Sequence, residues 1–498
     1  MRLFVLITGL LLLGTLSAQW REVQFDDSDM ALDLTEAFTF QKYPTYDQYV
    51  EMMQSFAADY PQICRLDTFG TSVEGRLLLA LKISDQPGLN EPEANFLYTS
   101  TIHGDELVGF ILLLRLADTL LKGYGTDNEI TGLVDGLTVW INPLANPDGS
   151  YAKDNNISLK QSDRENINGI DLNRGFPDPA YGEADDTTGR ARENQAMMLF
   201  MKQHGITLSA NLHSGEEVVN YPWDHDSARI HVDDSGYRFI SREYADEAKA
   251  VDADYMALFT DGITHGGKWY EIPGGRQDYV NYYLAGREVT LELSLTYRLG
   301  SEFLEEYWNI NRRSLLNYMA QCTYGIRGRV TEMENGEPVR ALISIPGHDS
   351  AYSVVHSFTD HGDYYRLIKE GVYDLVFSAP GFISDTINGV SVTDHQATWL
   401  DVELEKDPAT GLPSLQSIPE FRIYPNPVQS RLYMEPRHVQ HGPLEIMIHG
   451  SDGRQFLRRT CLYTGHPVLL PTETLPGGFY ILNITSQEVT RSIRFIKQ

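Results

Sequence analysis

Two rhythms of apolar and polar residues alternate along the first part of the chain. Between 43 and 60 the apolar positions recur at helical spacing, and Pro61 ends the run. Short β-prone runs at 65–70 and 76–83 then flank a Thr-Ser-Val-Glu-Gly turn. An apolar run from Asn95 stops at His103-Gly104-Asp105-Glu106, and a helix-like pattern follows at once to about Lys122. The run 137–143 reads as another strand, closing on the turn sequence Asn146-Pro147-Asp148-Gly149. The polar stretch 150–168 has no period and reads as a loop. Helical spacing returns at 190–204, strands at 206–212 and 288–294, and a closing helix at 302–318. Strands alternating with helices predict an α/β domain.

After Cys322 the helical rhythm stops. Residues 324–404 carry short alternating runs with turns such as Glu334-Asn335-Gly336, in a length that suits a small β-sandwich. Residues 406–417, rich in Pro, Gly and Ser, read as a linker, and 420–498 as a second small β-unit with no repeat of the first.

At 498 residues, several units are expected. The composition, 42% hydrophobic and 22% charged, is that of a globular chain. A net charge of -29 argues against a nucleic-acid partner, whose phosphates it would repel; an acidic surface would attract basic substrates or serve solubility alone, and composition does not choose between the two. Residues 1–18 combine one basic residue, a short apolar core and the small pair Ser17-Ala18, which predicts a secretory signal cut after Ala18. That apolar stretch is shorter than the roughly 20 residues needed to span a membrane, and no second candidate follows. Three cysteines (Cys64, Cys322 and Cys461) allow at most one bridge and exclude a disulfide framework.

His103 and Glu106 stand three apart at a strand–helix junction, where open α/β sheets place their ligands. Side chains at that offset can converge on one point, although such a pair alone is ordinary polar surface. His213, at the end of another strand, supplies a third donor. Two His and one Glu leave a fourth position free, as in a catalytic zinc site. No His-Glu-x-x-His pattern occurs, which excludes that route to a zinc peptidase.

These residues fall within a series of motifs in fixed order: His103-x-x-Glu106, Asn146-Pro-Asp-Gly, Asp171-Leu-Asn173-Arg174, His213 with Tyr221-Pro-Trp-Asp224, Gly262-Ile-Thr, Trp269-Tyr270 and Thr290-Leu-Glu292-Leu-Ser. In that series the chain resembles the zinc metallocarboxypeptidases over 43–323, specifically the group containing carboxypeptidases D, E, M and N. The resemblance implies that His103, Glu106 and His213 bind one Zn²⁺ and that Glu292 is the general base. Strand alternation alone leaves Glu288 equally open, since both face one side. It further implies that Arg164 stabilises the oxyanion, that Asn173 and Arg174 grip the substrate carboxylate, and that Tyr270 closes over the substrate. Asp105 stands where pancreatic carboxypeptidases carry arginine. Asp224 and Gln277 fall where the group builds its pocket for a C-terminal Lys or Arg side chain, while Glu216, Glu217 and Arg276 depart from the group's usual surroundings.

The stretches Gly325-Ile-Arg-Gly-Arg-Val and Gly371-Val-Tyr-Asp-Leu resemble strands of the transthyretin-like domain that follows the catalytic domain in that group. Tyr424-Pro-Asn-Pro-Val, Leu432-Tyr-Met, Leu475-Pro-Gly-Gly-Phe-Tyr480 and Arg494-Phe-Ile-Lys497 resemble the C-terminal sorting domain of Bacteroidetes type IX secretion cargo. This implies contact with the type IX machinery, passage through the periplasm to the cell surface or beyond, and later removal of the domain; the other reading of the segment is an accessory β-sandwich used for binding. Removal would leave Cys64 and Cys322 as a possible pair. Residues 19–41 are too few for a large propeptide, which implies an enzyme made active.

The expected organisation is thus a signal peptide (1–18), a leader (19–42), an α/β mixed-sheet zinc carboxypeptidase domain (43–323), a transthyretin-like β-sandwich (324–405), a linker (406–419) and an all-β sorting domain (420–498). The expected substrate is the C-terminus of a peptide or protein, with no transmembrane segment in the mature chain. Two other readings are action of the same zinc site on cell-wall peptides or another amide, and an inactive surface binding module. The last would be expected to lose Glu292 or a zinc ligand, and neither is lost.

Overall fold

The computed structural model describes residues 25–350, 352–408, 420–437, 442–450, 454–463, 467–473, 475–486 and 489–497. The expected signal sequence and most of the expected linker lie outside the described residues.

The first unit is built on an eight-stranded mixed sheet. Its strands are β1 (Cys64–Thr71), β2 (Leu77–Ile83), β3 (Ala94–Ser100), β4 (Leu137–Asn142), β5 (Leu208–His213), β6 (Glu216–Tyr221), β7 (Ile263–His265) and β8 (Arg287–Ser294), in the order β1-β2-β4-β3-β5-β8-β6-β7. The central strands β4, β3, β5 and β8 are parallel, and β1, β2 and β6 pair antiparallel around them. The helices are α1 (Tyr46–Asp59), α2 (Val108–Gly123), α3 (Asn128–Gly136), α4 (Arg192–His204), α5 (Asp234–Val251), α6 (Arg276–Tyr283) and α7 (Leu304–Gln321).

Both faces of the sheet are covered, so the central strands are buried almost throughout, and the polar residues that alternate along β5 (Ser209, Asn211, His213) and β8 (Glu288, Thr290, Glu292) are buried too. Along β3, Phe96 and Tyr98 point into one apolar cluster with α1, α2 and α7, while Leu97 points into a second with Met197, Met198 and Phe200 of α4. Helix α2 buries all of its first turns, Val108–Leu114, in the first cluster and shows Arg115, Asp118, Thr119 and Lys122 toward its outer face, which explains its run of apolar residues. The chain leaves β3 for β4 on one side of it and later returns as β5 on the other. This makes the carboxyl ends of β3 and β5 a topological switch point, where such sheets open a crevice.

Residues 25–42 pack on this unit: Phe25, Met30, Ala37 and Phe40 are buried in its core, and the Ser301 amide donates to Asp29 (2.7 Å). Cys64 and Cys322 are separate, buried, free thiols, so the pairing named above is not formed. Cys64 opens the edge strand β1, whereas Cys322 lies against Leu208 of β5, four strands away in the sheet order. Four spacings make roughly 19 Å, far beyond the ~7 Å a disulfide tolerates. Burial pushes both thiols up to about 12, which keeps them protonated.

The β-sandwich that follows has sheets led by Gly325–Glu332 and Gly371–Ser378 around a core that includes Ile326, Ile343, Leu375 and Phe377. It docks on the first unit through apolar contacts of Tyr365, Phe358 and Leu367 and through ions. Asp233, buried at the start of α5, accepts from Arg287 (2.8 Å) of its own unit and from Arg366 (2.8 Å) and His348 (2.8 Å) of the sandwich. Residues 420–497 add two further antiparallel sheets, of three and four strands, around Leu444, Ile446, Leu482 and Phe495. Among the described residues, no helix is long and apolar enough to cross a membrane.

Candidate active site

Three strand ends supply the centre. His103 follows β3, His213 is the last residue of β5, and Glu292 lies directly opposite His213 in the β5–β8 register. Glu106 closes the turn after His103, just ahead of α2. The turn is tight because Gly104 lies against the Asn146–Gly149 turn, where an added Cβ would come within 2.3 Å of the Gly149 carbonyl carbon. Asp148 in turn ties that turn to Ser72 (2.7 Å) and Arg76 (2.8 Å). A motif that reads as a plain turn therefore braces the loop carrying the first two donors.

His103 and His213 present Nδ1 to the same point, 3.1 Å apart, and the two Glu106 oxygens lie 2.7 Å from each. All three side chains are buried. The far nitrogen of each imidazole is also engaged: Asp171 Oδ1 lies 3.1 Å from His103 Nε2, and the Asn211 amide 2.8 Å from His213 Nε2. An acceptor at Nε2 fixes the tautomer that leaves the Nδ1 lone pair for a metal, and the amide oxygen of Asn211 serves when turned to that nitrogen. Although burial works against its charge, the two imidazoles hold the Glu106 carboxyl well below the usual carboxylate range. Two nitrogens and an ionised carboxylate, with ligand atoms all within 4.8 Å of one another, are the donor set that Zn²⁺ takes with one side left open. The residues fit the metal.

Another cluster of potential ligands, Asp233, His348 and Asp349, is already clasped by Arg366 and does not have this character.

Around the triad a cleft is lined by Arg164, Asn173, Arg174, Asn220, Asp224, Tyr270, Ile272, Thr290 and Glu292, among others. Glu292 is buried, and its Oε2 has no hydrogen-bond partner among the described residues. Burial and the nearby Glu106 push its carboxyl well above the usual value. Glu288, on the same strand face, is occupied: its Oε2 accepts from Arg276 (2.8 Å) and Ser209 (2.6 Å). The geometry thus separates two glutamates that alternation could not.

Arg164 binds Asp171 through Nε (3.1 Å) and reaches Glu106 through Nη1 (3.4 Å), at the open side of the triad. Asn173 and Arg174 occupy a short 3₁₀ turn, Leu172–Arg174, capped by the Asp171 side chain. The Asn173 carbonyl oxygen of the amide group accepts the backbone N–H of Arg276 (2.9 Å), which leaves its NH₂ for the cleft. Tyr270 is half exposed at the rim and packs on Trp269; burial and Glu292 push its phenol up to about 12, so it is a neutral donor at ordinary pH.

Asp224 forms the floor. It is buried, with Oδ1 accepting from Asn220 (3.0 Å) and Gln277 (2.9 Å). Gln277 holds the carboxylate rather than lining the cleft itself. Gly266 makes room for it, since an added Cβ would lie 1.7 Å from Oδ1. Burial, and then Asp278, push the Asp224 carboxyl well above its ordinary value. It forms no ion pair among the described residues.

Arg276, Glu216 and Glu217 do not line the cleft. Arg276 is fully buried and turned beneath the floor, with its guanidinium on Glu288 and Thr99. Glu217 faces α7 and accepts from Tyr307 (3.1 Å), and Glu216 folds back on the amide of Glu217 (3.2 Å). Sequence reasoning assigned no role to Asp171, Asn211, Asn220 or Asp278. The available signal was position: Asn211 precedes His213 by two on one strand face, and Asp171 opens the Asn173-Arg174 motif.

A family model described as zinc carboxypeptidase matches residues 49–314, and one described as secretion system C-terminal sorting domain matches residues 422–498. Carboxypeptidase D of Homo sapiens is 38% identical over 369 residues, covering 71% of this chain and 26% of that protein. The chain thus spans about a quarter of that relative's length. The carboxypeptidase N catalytic chain of Homo sapiens is 30% identical over 451 residues, covering 82% of this chain and 96% of that one. Among solved structures, thrombin activatable fibrinolysis inhibitor (TAFI) shares the fold, with a TM-score of 0.51 at 17% identity, over 58% of this chain and 77% of its own.

Proposed function

The chain belongs to the zinc carboxypeptidase family, and from that premise we propose that it is an exported exopeptidase removing C-terminal Lys or Arg from peptides. The observation that carries the specificity is Asp224, a buried carboxylate whose side chain receives hydrogen bonds from neutral amides only. A carboxylate out of water without a cation is costly. The guanidinium or ammonium of a C-terminal residue would supply that cation, and a neutral side chain would not.

The Arg174 guanidinium and the free NH₂ of Asn173 bind the substrate's terminal carboxylate, for which a planar fork is suited. That contact places the last peptide bond beside Glu292 and Arg164. Zinc, held by His103, Glu106 and His213, supplies Lewis acidity toward the scissile carbonyl and water. Glu292 takes the proton of the attacking water on a carboxylate whose basicity burial has raised, and returns it to the leaving amine. Arg164 donates toward the oxygen on which charge develops, a role commonly worth about 3 kcal/mol. Tyr270 donates its phenolic proton from the rim and narrows the cleft against water.

The sorting-domain match over 422–498 supports export by a type IX route to the cell surface or beyond. Cleavage of a peptide series varying only in its last residue tests the reading. Arg and Lys peptides should be hydrolysed faster than Leu or Phe peptides, and the reverse order would overturn it. Glu292→Gln should keep its zinc and lose turnover.

A further inference from the structure

The loop bearing Asp224 also bears Trp223, His225, Arg229 and His231, and its outer side is covered by the β-sandwich. Tyr352 of the sandwich sets its ring against Trp223 (centroids 5.0 Å apart), His231 (5.2 Å) and Tyr282 (5.9 Å, nearly parallel). Arg229 fills the space among them. Its guanidinium lies 4.8 Å from the Trp223 ring centre, 5.0 Å from that of Tyr352 and 5.5 Å from that of Tyr282. Aromatic faces attract a cation most when water is excluded. One wall of this cage therefore comes from the second unit.

From the cage a chain of contacts runs inward to the pocket. Arg229 Nη1 lies 3.2 Å from His225 Nε2, and because a guanidinium can only donate, that nitrogen accepts. The imidazole proton is thereby placed on Nδ1, which donates to Asp278 Oδ2 at 2.5 Å. Asp278 also accepts the backbone N–H of Asp224 (3.0 Å) and that of His225 (2.9 Å). Ring, guanidinium, imidazole and carboxylate thus end on the backbone of the residue that faces the substrate side chain.

We propose that Tyr352 is a positioning residue for the basic pocket: by holding Arg229 in the aromatic cage it fixes, through His225 and Asp278, where the Asp224 carboxylate stands. The proposal rests on the reading of Asp224 as the binding site of a cationic side chain. Without the ring, Arg229 gains water on one side and can leave His225, whose proton then has no fixed nitrogen. Asp278 loses its orienting partner, and the Asp224 backbone gains freedom. The side chains of Asn173 and Arg174 are not links in this chain of contacts; Asn173 meets the neighbouring segment only through the backbone N–H of Arg276 (2.9 Å).

The test uses the full chain with Tyr352→Ala, Tyr352→Leu and Tyr352→Phe. Phe358→Ala serves as a control at another point of the same interface, where Phe358 packs on Gly205. Inhibition constants of free arginine and free leucine, and KM and kcat for an Arg-terminated peptide, are measured on each. The Ala and Leu variants should weaken arginine and raise the peptide KM about tenfold, with leucine and kcat changed less than about twofold. The Phe variant and Phe358→Ala should match the wild type. A folded Ala or Leu variant that binds arginine normally overturns the proposal. So does equal weakening of arginine and leucine, or the same selective loss in Phe358→Ala. If the wild type itself binds arginine no better than leucine, the reading of Asp224 fails and the proposal falls with it, and the wild-type measurement identifies that case.

Discussion

Replacing Asp224 by Asn removes one charge and almost no volume, and two effects of opposite sign should follow. One carboxylate oxygen is already taken by Asn220 and Gln277, so Oδ2 remains for the substrate. A single charge-assisted hydrogen bond in a buried site contributes about 1.5–3 kcal/mol. At 1.4 kcal/mol per tenfold, kcat/KM for an Arg-terminated peptide should fall roughly 10- to 100-fold. The upper end is expected, because an amide NH₂ at the Oδ2 position would meet the guanidinium donor to donor. Stability should move the other way. The Asp224 carboxyl titrates well above its ordinary value in the folded chain, through burial and the Asp278 charge. A raised carboxyl means that folding disfavours the ionised form, so at neutral pH the group destabilises the fold, and Asn relieves it. The variant should unfold at a higher temperature while losing its preferred substrate. Steady-state kinetics on Arg- and Leu-terminated peptides, beside thermal unfolding at pH 7, read both arms. An unchanged Arg preference would refute the assignment of the pocket, and a lower unfolding temperature would refute the electrostatic argument.

The same raised carboxyl predicts a pH limb: KM for an Arg-terminated peptide should decrease as pH rises toward the Asp224 pKa and then level off, and Asp224→Asn should lack the limb in a pH series. Chelation should abolish turnover and lower the unfolding temperature, since a metal at a hundredfold excess over its Kd stabilises by about 2.7 kcal/mol; zinc added back should restore both, as read by calorimetry and assay. Asp233 titrates well below its ordinary value; burial opposes this, but Arg366 and Arg287 outweigh it. Its stabilising contribution is therefore complete above the unfolded-state carboxyl value near 4 and is lost as pH falls through the folded value. Asp233→Asn should cost about 3–5 kcal/mol at pH 7 in denaturant unfolding, because the buried Arg287 guanidinium loses its carboxylate and Arg366 keeps only Asp349. That cost should shrink in acid.

The triad and the alternation of strands with helices were legible because apolar runs end at His103 and His213, and because several short motifs keep their order. Other parts were illegible for physical reasons. Helix α5 is not among them: it buries Tyr237, Ser241, Tyr244, Ala245 and Ala248 at regular helical spacing, a period present in the sequence although this helix is not among the elements expected from it. Helix α6 buries Arg276, Gln277, Asp278 and Asn281, whose partners come from distant strands and loops. No hydrophobic rhythm can announce a helix whose buried face is polar. Arg276 misled for the same reason, since its charge is met by Glu288 beneath the floor and only its backbone reaches the site. Asp171 and Asn211 act through the far nitrogen of a histidine, and that relation exists only once the chain has folded.

The ionic joint between the two units bears on how the chain reaches its final form. Asp233 has Arg287 within its own unit, and Arg366 has Asp349 within the sandwich, so each unit holds a complete ion pair of its own. Either unit can therefore fold with its charges already matched, and neither must wait for the other to be synthesised or to arrive. Docking then joins the two private pairs through Arg366 and Asp233 into one network, so assembly can proceed unit by unit along the chain.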